Sequence, residues 1–380
     1  MRITYVIDSL ASKGGAERII INKMSYLAEE FGYDISVITC YQSSDTSNAY
    51  LLSSKVKQVY LGISFYSQYN YHYPYRLWVK RNINQQLQRM LPEAIELLEP
   101  DILIGVGYVL ADIVSKQNCK AKKIIEAHEP RPFTLSNYGL SRNILSRIYM
   151  RNARNRYFRT VEKNADVVVT LTKGDAHEWR KAKRTIVIPN FTVMPISSYS
   201  TCKAKRVIAV GRLEWVKGFD RLIEIWSIVT MKHPDWHLDI FGSGTMEPNL
   251  KKMIKDKNLR TVTIHPFTPD IAQEYSQSSI LAATSHFEGF SLAIIEAMHT
   301  GVPCISFDCP FGPKDVIEDG VSGYIIDDNN ISLFAKRMCD LMENFDKRIA
   351  FSKASIEIIK QFDVETIMNT WKKLFEELTR

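Results

Sequence analysis

The fold and the site of this chain are indicated most directly by one turn between a predicted strand and a predicted helix. It lies within Ala283-Thr284-Ser285-His286-Phe287-Glu288-Gly289-Phe290-Ser291-Leu292-Ala293-Ile294-Ile295-Glu296-Ala297-Met298. The apolar run from Ser279 to Ala283 is typical of a short buried strand, and the apolar residues after Ser291 indicate a buried helix that Ser291 could cap. Because a helix start presents unsatisfied backbone N–H groups, this turn is a candidate anion-binding site.

Two glutamates flank the turn. Glu288 precedes the predicted helix, and Glu296 follows eight residues later, well inside it. A carboxylate repels a phosphate but accepts hydrogen bonds from hydroxyl groups. Either glutamate alone could be a solvent-facing side chain, but the pair beside an anion site predicts a ligand that combines an anion with hydroxyls, as a sugar nucleotide does.

Length and composition describe a soluble protein of about two domains. The chain has 380 residues, of which 45% are hydrophobic and 24% charged. We expect no signal peptide at Met1–Ile7 and no transmembrane segment, because no apolar run is long enough. The six cysteines are scattered, which predicts reduced cytosolic thiols; they are residues 40, 119, 202, 304, 309 and 339.

The positive charge is concentrated in the first half. The net charge is +7, yet residues 1–190 contain 27 basic and 17 acidic residues, whereas residues 191–380 contain 22 basic and 25 acidic ones. This asymmetry favours an anionic partner for the first half, such as a membrane surface, a lipid phosphate or nucleic acid.

Strand and helix patterns alternate on both sides of a polar, irregular segment at 191–204. That alternation predicts an α/β protein with two doubly wound, mostly parallel sheets. The first strand, Arg2–Ile7, leads through the glycine-rich Lys13–Arg18 into a helix, a geometry that binds phosphate. A tight turn without a ligand explains the same residues at least as well, since the pattern is neither a dinucleotide-binding fingerprint nor a Walker A loop.

Two stretches of the basic half have unusual surfaces. Tyr66–Trp78 is rich in aromatic residues and predicts a surface loop, either packed by its own side chains or lying in a membrane interface. A basic amphipathic helix is predicted after it, with no acidic residue from Leu140 to Val161, although a solvated helix face would also fit. Its arginines are Arg142, Arg147, Arg151, Arg154, Arg156 and Arg159.

In the second half, two cations follow one predicted strand. Arg212 and Lys217 lie in a single short loop, from which both could reach the phosphates of a ligand held by the 283–298 turn. By themselves they could be solvated loop charges. We find no Asp-x-Asp pair suited to a metal, because Asp327-Asp328 lies among turn residues, so fixed cations predict a metal-free diphosphate site.

The combination of these motifs resembles the retaining glycosyltransferases of family 4, which have the GT-B fold. The resemblance rests on Glu288 and Glu296 with seven residues between them, Gly-Phe-Ser-Leu after Glu288, Gly211-Arg212-Leu213 with Lys217-Gly218, and Gly301-Val302-Pro303. Lys13–Arg18 is similar to that family's N-terminal loop. The segment Phe307–Pro313 resembles versions found in bacterial surface-polysaccharide assembly.

This resemblance implies two Rossmann-like domains with a nucleotide sugar in the cleft between them. Residues 1–190 would bind the acceptor and residues 191–363 the donor, with a final helix at about 364–380 crossing back to the first domain. The implied catalytic residues are His128, Arg212, Lys217 and Glu288. The implied donor-binding residues are Gly15, Arg212, Lys217, His265, Pro266, Phe267, Glu288, Gly289, Phe290, Ser291, Leu292 and Glu296.

By family similarity, Arg212 and Lys217 neutralise the diphosphate, Glu296 binds ribose, and His128 contacts the donor sugar near the reacting carbon. His128 follows the predicted strand Lys123–Ala127, where open α/β sheets place site residues, although a lone histidine is more often structural. Glu129 departs from the aspartate that relatives often have. No residue suggests a nucleophile, which favours same-face attack by the acceptor.

The sequence therefore predicts transfer of a hexose, from a UDP-sugar, to a glycan or polyprenyl-diphosphate-linked acceptor at the cytoplasmic face of the plasma membrane, without metal or cofactor. Two alternatives remain. One is a GT-B enzyme of another class, a nucleotide-sugar epimerase or a phosphorylase. The other is an RNA-binding protein that uses the arginine helix, but recognised RNA-binding modules are absent from the sequence.

Overall fold

Strands and helices alternate along the computed structural model, which describes residues 1–72, 74–107, 110–131, 144–196 and 198–380. The chain folds into two compact units. Unit 1 comprises Met1–Ile188 and Ile367–Arg380, and unit 2 comprises Pro189–Thr366. The sequence had placed the domain boundaries after residues 190 and 363.

Unit 1 is built on seven parallel strands. They are β1 (Arg2–Ile7), β2 (Asp34–Thr39), β3 (Lys57–Tyr60), β4 (Ile102–Val106), β5 (Lys122–Ala127), β6 (Val167–Thr170) and β7 (Thr185–Val187). Their order in the sheet is β3-β2-β1-β4-β5-β6-β7. The central strand β4 is buried along its whole length, which explains its continuous apolar sequence.

Between β1 and β7, the described part of unit 1 contains five α-helices. They are α1 (Gly15–Glu29), α2 (Tyr75–Leu98), α3 (Ala111–Ser115), α4 (Ile144–Asn164) and α5 (Lys173–Glu178). The prediction of a loop over Tyr66–Trp78 is wrong in part. Phe65–Asn70 form a 3₁₀-helix, and α2 already begins at Tyr75, with Pro74 as its N-cap residue.

Unit 2 is built on six parallel strands. They are β8 (Arg206–Val210), β9 (His237–Phe241), β10 (Val262–His265), β11 (Ile280–Ala283), β12 (Cys304–Asp308) and β13 (Gly323–Asp327). Their order is β10-β9-β8-β11-β12-β13. The prediction of two doubly wound parallel sheets is confirmed.

The remaining helices follow in chain order. They are α6 (Phe219–Val229), α7 (Glu247–Asp256), α8 (Ile271–Ser276), α9 (Leu292–His299), α10 (Pro313–Val316), α11 (Ile331–Glu343), α12 (Phe345–Ile359) and α13 (Val364–Thr379), with 3₁₀-turns at Trp215–Lys217 and Lys360–Phe362. From Ile367 onward, α13 belongs to unit 1. In the described ranges, no helix has the length and apolarity needed to cross a bilayer.

Each sheet has its own apolar core. In unit 1 the core includes Leu87, Leu91 and Ile125, and in unit 2 it includes Leu222 and Trp226. All six cysteines carry free thiols. Each sheet is therefore packed on its own core, and the loops at its strand ends are anchored to that sheet.

The strand order reverses once in each sheet, between β1 and β4 in unit 1 and between β8 and β11 in unit 2. In open α/β sheets, ligands bind outside the carboxyl ends of the strands at this switch point. In unit 2 the loops concerned are residues 211–218 and 284–291, which contain Arg212, Lys217 and Glu288.

Candidate active site

The turn after β11 holds a buried carboxylate. Glu288 is 9% exposed, and its Oε1 accepts hydrogen bonds from Lys217 Nζ at 2.7 Å and from Ser285 Oγ at 2.6 Å. A buried charge needs such partners, because burial without them is costly. The structure therefore brings two predicted catalytic residues into one ion pair and adds Ser285, which sequence reasoning missed.

The loop after β8 brings Lys217 to this carboxylate. A 3₁₀-turn at Trp215–Lys217 ends at Gly218, which has φ +62°. A Cβ at Gly218 would lie 2.0 Å from the Thr284 carbonyl oxygen, so the loop can approach the end of β11 this closely only with glycine there. Arg212, in the same loop, is exposed.

Stacked rings join the two loops a second time. The Trp215 and His286 rings lie 3.9 Å apart and are almost parallel, at 4°. The backbone N–H of His286 also donates to the Val216 carbonyl at 2.8 Å. Burial, together with the charge of Arg221, lowers the pKa of His286, which keeps the ring neutral and suited to stacking. No sequence motif indicated this contact.

Helix α9 begins where the sequence predicted it. Ser291 occupies the N-cap position, as the sequence suggested, but among the described residues its side chain makes no capping hydrogen bond. Phe290 is buried, and its ring lies 5.5 Å from that of Phe362, so its side chain serves the packing of unit 2. The first amides of α9 have no intrahelical acceptor, which leaves them suited to an anion.

Glu296 lies inside α9 and is 4% exposed. The Tyr275 hydroxyl, on α8, lies 3.3 Å from Glu296 Oε2 and donates to it. The tyrosine fixes the carboxylate from the adjacent helix. Sequence reasoning identified Glu296 but missed Tyr275, which is far from it along the chain.

The predicted base-binding segment 265–268 follows β10. His265 Nε2 lies 2.7 Å from Asp239 Oδ1, and its ring stacks on Phe241 at 4.5 Å. Asp239 is held in turn by Arg206 Nε at 2.6 Å. Pro266 and Phe267 are exposed. The segment thus offers a fixed imidazole beside exposed apolar surface.

The predicted site residues of unit 1 lie after β1 and β5. His128 follows β5, and its Nε2 lies 3.1 Å from Glu126 Oε1. Gly15 is exposed and begins α1. Sequence reasoning missed Glu126, because it stands inside an apolar strand.

A carboxylate, Glu17, lies over the start of α1. A Cβ on Gly14 would be 2.1 Å from Glu17 Oε2, so Gly14 makes room for this side chain. Burial raises the pKa of Glu17, and the nearby Asp8 raises it further, while hydrogen bonds and the charge of His128 oppose the shift. Asp8 and His128 therefore both act electrostatically on Glu17 at this end of the first sheet.

The described residues contain no group of three or more histidine, cysteine or acidic side chains placed to hold a metal ion. Asp328, which the sequence placed in a turn, accepts a hydrogen bond from Arg221 Nη1 at 2.7 Å. Arg221 also donates to the Thr284 carbonyl, at 3.1 Å from Nε, and so supports the end of β11.

Part of the chain matches a known family model, and two curated proteins are similar to it. Residues 199–357 match the family model described as Glycosyl transferases group 1. An uncharacterized glycosyltransferase of Haemophilus influenzae is 29% identical over 98% of this chain and 99% of its own length. The amylovoran biosynthesis glycosyltransferase AmsD of Erwinia amylovora is 33% identical over 55% of this chain and 62% of its own length.

Solved structures with a similar fold exist. The crystal structure of Anabaena HepE in complex with UDP has a TM-score of 0.77, covers 99% of this chain and 100% of its own, and is 18% identical. At that identity the likeness concerns the fold alone. The chain has the predicted GT-B fold of two Rossmann-like parallel-sheet units. Residues 199–357 are similar to group 1 glycosyltransferases.

Proposed function

We propose that this chain is a retaining glycosyltransferase of family 4 that transfers a hexose from a UDP-sugar to a glycan in surface-polysaccharide biosynthesis, such as O-antigen or capsule. The observation that carries the proposal is the Lys217–Glu288 pair, at the switch point of the second sheet and beside the start of α9. The name of AmsD supports polysaccharide biosynthesis, and the UDP in the HepE complex supports a UDP donor.

Lys217 and Arg212 are proposed to neutralise the donor diphosphate. An ammonium group has three N–H donors, of which Glu288 takes one, so Lys217 can still donate to phosphate oxygens. Arg212 is exposed in the same loop, and the first amides of α9 add further donors. With these cations we propose that no metal and no cofactor is needed. Treatment with EDTA should leave the transfer rate unchanged, and a rate restored only by added divalent cation would contradict this.

The glutamates are proposed to recognise hydroxyl groups. Lys217 and Ser285 both contact Oε1 of Glu288, which allows Oε2 to accept from a hydroxyl of the transferred sugar. Glu296, oriented by Tyr275, would bind the ribose. The base would lie against His265, Pro266 and Phe267. The backbone of residues 289–292 would hold the phosphates.

In the proposed reaction, the bond between the anomeric carbon and the diphosphate oxygen breaks, and its electron pair goes to the diphosphate. The acceptor oxygen bonds to that carbon on the same face and gives its proton to the leaving phosphate oxygen. His128 is assigned to the donor sugar near the reacting carbon. Retention follows without an enzyme nucleophile. Trapping a covalent glycosyl-enzyme would contradict this mechanism.

We propose that the acceptor is a glycan carried on a polyprenyl diphosphate, and that the enzyme works peripherally at the cytoplasmic face of an anionic membrane. Exposed aromatic rings at the start of α2 support this: Tyr75 stacks on Trp78 at 5.3 Å, and Trp78 is 59% exposed. No Asp or Glu occurs from residue 46 to residue 92, whereas six basic residues do. Aromatic and basic side chains together suit a membrane interface.

The arginine helix is less fully described. Arg142 and the side chain of Arg147 lie outside the described residues. Arg151, Arg156 and Arg159 of α4 are exposed. We expect these arginines to contact the anionic surface and not nucleic acid.

A thermal-shift screen of UDP, GDP, ADP and their sugar conjugates tests the donor assignment. A ligand at 100 times its Kd stabilises the folded state by about 2.7 kcal/mol. We expect uridine ligands to raise Tm, and Glu296→Ala to abolish the shift. A shift that survives in Glu296→Ala would contradict the ribose assignment.

Product analysis tests the reaction. Transfer should give a glycoside of the acceptor with the anomeric configuration of the donor. The family match does not favour a nucleotide-sugar epimerase, which would instead interconvert two UDP-sugars in the absence of acceptor. An inverted glycoside would contradict the retaining assignment.

A further inference from the structure

A buried ion pair lies in the core of unit 1. Lys23, on α1, is 1% exposed, and its Nζ bonds to both carboxylate oxygens of Glu126 on β5. Neither residue shows in the sequence pattern, because Lys23 stands on the apolar face of α1 and Glu126 follows Ile124 and Ile125 in an otherwise apolar strand. A lysine and a glutamate are seldom this deeply buried in a core.

Stability alone does not explain the pair. Replacing a buried ion pair by well-packed apolar residues is often neutral or stabilising, because desolvation offsets the Coulomb attraction. Burial raises the pKa of Glu126, but the charge of Lys23 and the contact with His128 outweigh it and lower that pKa to about 2. The core of unit 1 therefore holds a carboxylate that is ionised at neutral pH.

Glu126 has a third contact, with His128. Because an ionised carboxylate only accepts hydrogen bonds, the 3.1 Å contact requires His128 Nε2 to carry the proton. In a neutral ring, Nδ1 is then the acceptor. The contact therefore fixes both the orientation of the ring and its tautomer.

The other side of the pair is closed by aromatic rings. Lys23 Nζ lies 4.0 Å from the centre of the Trp371 ring, on α13, and 5.2 Å from that of Tyr5, on β1. Such cation–π contacts stabilise a desolvated ammonium group. Lys23 is thus held in place from three elements of unit 1, and it holds Glu126 in turn.

We propose that Glu126 is a positioning residue for His128, with Lys23 as its counter-ion, and that the two hold the imidazole in the Nε2–H tautomer for sugar transfer. This inference rests on the proposed function, which assigns His128 to the donor sugar. It adds the requirement that the other ring nitrogen, Nδ1, carries no proton when His128 contacts the donor sugar.

The test uses the full chain with the double substitution Lys23→Met and Glu126→Gln. It removes both charges at nearly constant volume, so the variant is expected to fold with a Tm close to that of the parent. A glutamine amide can either accept from Nε2–H or donate to an unprotonated Nε2, so the tautomer is no longer fixed. We expect kcat to fall at least about tenfold, the loss typical when the hydrogen-bond partner of a metal-bound histidine is replaced, with the Kd for UDP unchanged.

Nitrogen-15 NMR of the His128 ring supplies a readout that does not depend on activity. The parent should show the Nε2–H tautomer, and the double variant should show a mixture. Glu162→Gln is the matched control, since Glu162 is also buried in unit 1 and pairs with Arg131 at 2.6 Å. It should alter neither kcat nor the His128 signals.

Three results would overturn the inference: an Nδ1–H ring in the parent, an unchanged kcat in the double variant, or an equal loss of kcat in Glu162→Gln. Failure of the proposed function would look different. If His128→Ala transferred sugar at the parental rate, the role of His128 would be wrong, although the NMR spectra could still show a fixed tautomer.

Discussion

Lys217 Nζ lies 2.7 Å from Glu288 Oε1, so the cation after β8 and the carboxylate after β11 form one ion pair at the switch point of the second sheet. The sequence assigned them separate tasks, one for phosphate and one for hydroxyls. The contact means that each residue holds the other in place before any donor arrives. A substitution at either position should therefore affect both tasks.

Lys217→Met removes the cation and leaves Glu288 buried with Ser285 as a partner. We expect kcat/KM for sugar transfer to fall about 100- to 1000-fold, the loss typical of removing one preorganised charge-stabilising donor. The Tm of unit 2 should also fall, because a buried carboxylate without a counter-ion is costly. Steady-state kinetics and a thermal melt measure the two effects.

Lys205→Met is the control for this prediction. Lys205 pairs with Asp235, but both side chains are exposed. Exposed pairs contribute about 0–1 kcal/mol, so this variant should keep parental kinetics and stability. Equal losses in the two variants would show that Lys217 has no special place in the site.

Gly218→Ala should destabilise unit 2 and disturb Lys217. The added Cβ would lie 2.0 Å from the Thr284 carbonyl oxygen, at a positive φ that itself costs alanine about 1–2 kcal/mol. We expect the free energy of unfolding to fall by more than that amount, measured by urea titration. Gly320→Ala separates the two causes, because Gly320 has φ +76° but open space at its Cβ, and it should lose only the conformational part.

Asp175→Asn should stabilise unit 1 at high pH. Burial, the largest cause, raises the pKa of Asp175 to about 6, against a hydrogen bond from the Arg131 backbone N–H. The folded state thus holds a proton that the unfolded state releases nearer pH 4, so stability falls as the pH rises toward 6. Asparagine avoids this cost, which is worth up to about 3 kcal/mol. Part of that gain is offset, because the substitution also removes a favourable negative charge from the first turn of α5.

Urea titrations at pH 4 and pH 8 test this sign. The gain for Asp175→Asn should appear at pH 8 and shrink at pH 4. Asp166→Asn should behave in the opposite way. Burial raises the pKa of Asp166, but hydrogen bonds from the Lys123 backbone and from Lys183 outweigh it and lower that pKa. Its carboxylate stabilises the fold at pH 8, and this contribution is lost as the pH falls through its folded pKa.

Trp78→Ser should weaken binding to anionic vesicles. Burying a tryptophan side chain in an interface contributes on the order of 1.5–3 kcal/mol, so partitioning should fall about tenfold or more in a flotation assay with phosphatidylglycerol vesicles. Met231→Ser, which removes an exposed apolar side chain from unit 2, should bind like the parent. Parental binding that did not weaken in high salt would contradict an electrostatic component.

Much of the fold could be predicted because its causes are local. Apolar runs and helical periodicity place β11 and α9 within a residue of their observed bounds, and the turn between them carries Glu288 in the order of the chain. The miss at Tyr66–Trp78 arose because aromatic and polar residues suit a loop and a helix start equally well. Residue type placed Ser291 at the N-cap, but it could not show that the side chain makes no capping hydrogen bond in the described part of the chain.

The sequence by itself determined two parallel-sheet units, the alternation that builds them, and the candidate residues at the ends of their strands. Only the tertiary structure decided which of those residues meet. Lys217 and Glu288 are 71 residues apart, and Lys23 and Glu126 are 103 apart. No local pattern marks such pairs, because a buried charge is tolerated only where folding brings its partner to it. The turn after β11 meets the loop after β8 because strand order sets β8 beside β11, and that order is a property of the whole sheet.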